Sequence, residues 1–170
     1  DSELLKSLQL WLRADFLTLQ DGDSVSVWPD QSGYGRDVSA THGIRPGGTG
    51  LPGRYVKRST LMNRPAVRFN TATGLASSPG NPVEIRGDAA LTIFLVMNLQ
   101  QGEAKLAFES VLGIGNPVTE KDPGKPVAAL VQIHRIEDHA LHFAGGWKHD
   151  VSAGKGSFQH HYGRPTILTI

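Results

Sequence analysis

The sequence predicts an all-β domain, an antiparallel sandwich or barrel, and three observations carry that prediction. Runs of about five to nine residues, alternating with period two or continuously β-branched and aromatic, recur along the chain. Clusters of Gly, Pro, Asn and Asp separate them, with 20 glycines and 10 prolines among 170 residues. Apart from a first turn or short helix in Ser2-Glu3-Leu4-Leu5-Lys6-Ser7-Leu8, no long segment carries the apolar 3.6-residue period. Short strands at this spacing without intervening helices pair antiparallel.

The first strand is Leu8 to Ala14, with Leu8, Leu10, Leu12 and Ala14 on one face and Gln9, Trp11 and Arg13 on the other. In the next, Val25 and Val27 oppose Ser24, Ser26 and Trp28. After the Gly/Pro-rich stretch GIRPGGTGLPG, the run Pro65 to Asn70 sets Val67 and Phe69 on one side. Leu91 to Met97 is the most apolar run, so it is expected to be the central core strand, buried on both faces, with Leu91, Ile93, Leu95 and Met97 buried together. Ser110 to Ile114, Val127 to Ile136, Ala140 to Ala144 and Thr166 to Ile170 continue the series. A hairpin is expected around Glu137-Asp138-His139.

Length and composition fit one globular domain able to bury a sizeable core. Apolar residues make up 39% and charged residues 19%, and the net charge is +1 without a basic block, which argues against nucleic acid as a partner. There is no cysteine, hence no disulfide and no thiolate zinc site. No run reaches the roughly 18 apolar residues of a membrane-spanning helix.

Four blocks, LQLWLRAD (8–15), DGDSVSVWPDQSGYGRDVSA (21–40), NRPAVRFN (63–70) and LTIFLVMNL (91–99), resemble in order the bacterial laminin-G-like, concanavalin A-like jelly-roll domains. The resemblance covers about ninety residues; beyond residue 100 only a pattern of strands remains. It implies a two-sheet antiparallel β-sandwich serving as an accessory module of a larger secreted, periplasmic or cell-surface bacterial protein. Family members usually continue with a "vNG" turn strand and a closing strand before a short helix, and neither feature stands in this sequence. Together with the start at Asp1, without Met or a signal-peptide pattern, and the apolar ending Ile167-Leu168-Thr169-Ile170, this leads to the expectation of an excised piece. Its sandwich would lack C-terminal strands.

Within the second block, Asp30 before Gln31-Ser32-Gly33 is placed for an Asx-turn, its carboxylate accepting nearby backbone N–H groups, and Gly33 and Gly35 supply positive φ. Jelly-roll lectin-like domains often bind calcium at loop ends, and Asp21, Asp23, Asp30 and Asp37 supply hard oxygen donors, so calcium is the candidate cofactor. Asp-Gly-Asp is equally an ordinary turn, and there is no EF-hand loop.

His134, His139, His142, His149, His160 and His161 fall late in the chain, but at spacings that match no compact zinc motif. Gln132-Ile133-His134 resembles an element of the alginate lyases, sandwich enzymes in which the Gln neutralises a uronate carboxylate. There the His takes part in abstracting the C5 proton and a Tyr acts as acid. Tyr162 would be the analogous Tyr, although the other two lyase elements, "R-[ST]-E-L-R" and "Y-x-K-A-G", are absent. Glu137 and Asp138 are adjacent, which does not fit a glycosidase carboxylate pair, and the laminarinase-type Glu-x-Asp-x-x-Glu is missing.

Binding asks less of a sequence than catalysis does. Sugar rings stack on exposed aromatic faces, and Trp147, Tyr34 and Tyr162 are the candidate ligand-binding aromatics. Trp11 and Trp28 read as core or covering residues. The leading expectation is a non-catalytic module that binds glycan or protein, or spaces other domains of its parent. The alternative is a polysaccharide lyase or glycoside hydrolase of the same sandwich class.

Overall fold

The computed structural model describes residues 6–40, 51–70, 73–78, 80–83, 90–101, 108–114, 129–134, 139–144 and 150–170. They hold twelve strands: β1 (Ser24–Val25), β2 (Val27–Trp28), β3 (Val38–Ser39), β4 (Gly53–Val56), β5 (Ala66–Arg68), β6 (Ala76–Ser77), β7 (Phe94–Met97), β8 (Phe108–Ile114), β9 (Ala129–His134), β10 (Ala140–Ala144), β11 (Asp150–Ser152) and β12 (Thr166–Thr169). These pair antiparallel in four small sheets, ordered β1-β4-β5, β2-β3-β6, β11-β10-β9-β8 and β12-β7. Helical backbone among the described residues is confined to single turns or less. The chain is therefore all-β, and no described helix is long and apolar enough to cross a membrane.

The fold divides into two compact units, Asp1–Phe94 with Thr169–Ile170, and Leu95–Leu168. In the first unit β4 is the middle strand of one sheet and β3 of the other. Val25 and Tyr55 are buried in the first of these sheets, and Val38, Ser39 and Ala40 in or just after the middle strand of the second. Gly53, opposite Val25, is required by a close approach: a Cβ there would lie 2.7 Å from Val67 Cγ1 and 3.0 Å from Phe69 Cε1. Val67 and Phe69 thus share the side on which alternation placed them.

Three strand expectations are corrected. Val25 and Val27 do not share a face, because the strand breaks at Ser26: β1 pairs with β4 and β2 with β3. Val25 is fully buried while Val27 is exposed. Leu8 to Ala14 is not a full strand; it contributes the single bridge Leu12–Asp30 and then a 3-10 turn, Ala14–Phe16. Nor is Leu91 to Met97 buried on both faces. Its strand, β7, alternates, with Ile93, Leu95 and Met97 half-buried but Phe94 70% and Val96 64% exposed. Leu91 is exposed as well. The physical reason is that successive side chains point to opposite faces and only one face of β7 turns inward; among the described residues its one sheet neighbour is β12, joined where Ile93 and Ile170 exchange backbone hydrogen bonds of 2.8 and 3.1 Å.

In the second unit β8 to β11 form a meander in chain order, with β9 and β10 as the expected antiparallel neighbours. A register shift between Ser110 and Leu112 interrupts β8 against β9. The start of β10 is covered by the segment after β11. Phe158 N–H donates to His139 O at 2.9 Å, Ser157 Oγ accepts from Leu141 N–H at 3.0 Å, and Ala140 and Phe158 are buried.

Candidate functional site

The Trp28-to-Asp37 loop is organised by one carboxylate. Asp30 Oδ1 accepts from Ser32 N–H at 2.9 Å, the Asx-turn bond, and from Trp11 N–H at 3.0 Å. Its Oδ2 accepts from Ser32 Oγ at 2.6 Å and Arg36 N–H at 3.1 Å. Gly33 and Gly35 have φ of 94° and 65°, a region that favours glycine and lets the chain curl around the carboxylate. Burial pushes the Asp30 carboxyl up, but the Ser32 hydroxyl and the Trp11, Ser32 and Arg36 amides outweigh it and hold it below the ordinary carboxylate value.

The other carboxylates nominated for calcium also serve backbone donors. Asp37 Oδ1 accepts from Asp30 N–H at 2.9 Å, Asp21 Oδ1 from Lys57 N–H at 2.8 Å and Asp23 Oδ2 from Gln20 N–H at 2.8 Å. Among the described residues no three His, Asp or Glu side chains gather as a metal-holding group.

Tyr34 lies within this loop and is 45% exposed. Its hydroxyl donates to Lys6 O at 3.3 Å, and the Arg36 guanidinium carbon lies 4.5 Å from its ring centroid. Arg36 is itself buried and fixed by Nη1 donating to Gln9 O (2.9 Å) and Gln9 Oε1 (2.7 Å). One ring face is therefore backed by a guanidinium that cannot swing away. Behind the loop, Trp28 Nε1 is buried with no acceptor among the described residues, in keeping with a covering role.

In the second unit, Tyr162 meets His139, its hydroxyl 3.2 Å from Nδ1, and both Tyr162 and His161 pack on Phe158. Cross-strand register sets Gln132 opposite both His142 and Ser110, and His142 opposite Ser152. Paired residues share a face, so the four positions make a row across the sheet. His134 stands opposite Ala140 and Phe108. Trp147 lies outside the described residues.

One group was missed in the sequence. Of the two roles expected for Trp11, core or covering, its 38% exposure excludes the first, and Arg13 lies over its ring at 5.0 Å and over Phe16 at 4.3 Å. Asp15 accepts from Arg13 Nε at 3.1 Å and Nη2 at 2.6 Å. This two-point bond raises the Arg13 pKa and lowers that of Asp15. The signal was present: alternation put Trp11 and Arg13 together on the face opposite the leucines.

No protein-family model, curated protein or solved structure matches this chain.

Proposed function

We propose that the chain is a laminin-G-like, concanavalin A-like jelly-roll module that binds glycan or protein ligands as part of a larger extracytoplasmic bacterial protein. The carrying observation is Tyr34: a half-exposed aromatic ring, held by its hydroxyl and backed by Arg36, on a loop pinned by Asp30. An immobilised ring offers stacking area with little entropy left to lose on binding. The family resemblance supports the same reading, because the loop block that carries it contains both Asp30 and Tyr34. Glycan-array binding tests it: Tyr34→Ala is expected to weaken binding in a chain that still melts cooperatively, with only a small drop in melting temperature from the lost Lys6 and Arg36 contacts. A wild-type chain that binds neither glycan nor protein ligand would refute the proposal.

The rival reading, a polysaccharide lyase, draws on the Tyr162–His139 contact, a pair able to share one proton, and on Gln132 in the cross-strand row. Its test is the ultraviolet absorbance of unsaturated uronates released from alginate. A signal lost in Tyr162→Phe would favour it over the binding module.

A further inference from the structure

The Trp11-to-Phe16 segment is built like a recognition surface. Trp11 and Arg13 project from the same side of extended chain, and the 3-10 turn that follows folds Phe16 back, its N–H donating to Arg13 O at 3.4 Å. The result is a guanidinium lying over two aromatic rings, with a carboxylate on its edge. Trp11 cannot drift, because its N–H donates to Asp30 Oδ1 and its carbonyl accepts from Gln31 N–H at 2.8 Å.

Apolar, aromatic and charged atoms all reach solvent here: Phe16 is 57% exposed, and the Arg13 and Asp15 side chains 32% and 44%. Buried packing therefore does not account for the two rings. Arg13 spends Nε and Nη2 on Asp15, and among the described residues its Nη1 has no acceptor. Asp15 keeps lone pairs beyond the two it gives to Arg13. The pair thus offers a donor beside an acceptor, flanked by aromatic faces.

We propose that Trp11, Arg13, Asp15 and Phe16 form a subsite for a neutral pyranose ring of a glycan. The apolar C–H face of the sugar lies against an aromatic ring, while one of two adjacent hydroxyls donates to Asp15 and the other accepts from Arg13 Nη1. A donor beside an acceptor matches two neutral hydroxyls, whereas a uronate carboxylate could use only the donor. The assignment rests on the binding-module reading and names its ligand class.

Affinity electrophoresis through gels containing a soluble β-glucan, a mannan or alginate tests it, with thermal melting as the fold control. Retardation of the wild-type chain by a neutral polysaccharide is expected, with affinity reduced about tenfold in Trp11→Ala and in Phe16→Ala. Arg13→Lys, which keeps the charge but loses the planar fork, is expected to weaken binding too. If Trp11→Ala melts early, Phe16→Ala and Arg13→Lys carry the test. Equal retardation of wild type and all three variants, or retardation by alginate alone, would overturn the subsite while leaving the module reading in place. No retardation in any gel, with no ligand on an array, would overturn both.

Discussion

The Asp30 loop and the β7–β12 ribbon are held by opposite means. In the loop one half-buried carboxylate gathers four hydrogen bonds, from Trp11, Ser32 and Arg36, and few apolar atoms are involved. In the ribbon the backbone pairs, but the chemistry of the side chains is not used up: Phe94, Val96 and Ile167 stay exposed. The most hydrophobic stretch of the chain is thus not its best-buried one, and one of its most polar stretches is the more tightly specified. Hydrogen bonds to an ionised group are each worth more than neutral ones, and stranding their donors costs more still.

Substitutions should separate the two regions by size of effect. Asp30→Ala is expected to cost about 2–3 kcal/mol, roughly 5–10 °C in melting temperature for a chain of this length, because it strands backbone donors from two segments. Gly53→Ala, a reference for tight apolar packing, is expected to cost about 1–3 kcal/mol, since the new methyl must displace Val67 and meets the Arg68 carbonyl at 3.1 Å. Denaturant unfolding reads both.

Of these two regions, acid should act on the loop. The folded Asp30 carboxyl titrates below its unfolded value, so its stabilising contribution is complete above about pH 4 and fades as pH falls through the lower folded value. β7 and β12 hold no ionisable side chain in Phe94–Met97 or Thr166–Thr169. Backbone amide shifts followed from neutral to acid pH should therefore move in the loop before they move in the ribbon. Simultaneous movement would show that Asp30 does not titrate as a local lock. The smallest effect is expected from Val96→Thr, within about 0.5 kcal/mol by the same denaturant assay, because an exposed side chain has little burial to lose.

What was legible in the sequence follows from the same contrast. The Asx-turn at Asp30 was readable because its donor, Ser32, is two residues away and the glycines that permit the curl are beside it. The bond from Trp11 to Asp30 spans nineteen positions and left no local trace. For β7, a continuous apolar run marked a strand correctly, but apolar content does not reveal whether both of its faces are covered. The break at Ser26 was invisible for a related reason: alternation continues unbroken through Val25 and Val27 while the hydrogen-bonding partner changes from β4 to β3. Of the candidate aromatics, Tyr34 was marked by its place between glycines. For Trp11, read as core or covering, its place on the face opposite the leucines pointed to the second, and at 38% exposure it is not core.

The central claim is that the Asp30 carboxylate, through hydrogen bonds to separated backbone donors, holds the loop that carries Tyr34 and ties the Trp11 backbone to it. Amide hydrogen exchange measured residue by residue in wild type and Asp30→Ala addresses it most directly. The Trp11, Ser32 and Arg36 amides are expected to be protected in the wild type and to lose that protection together in the variant, while Tyr55, whose amide donates to Asp23 O at 2.8 Å, keeps its own. Unchanged protection at those three amides after the carboxylate is removed would contradict the account.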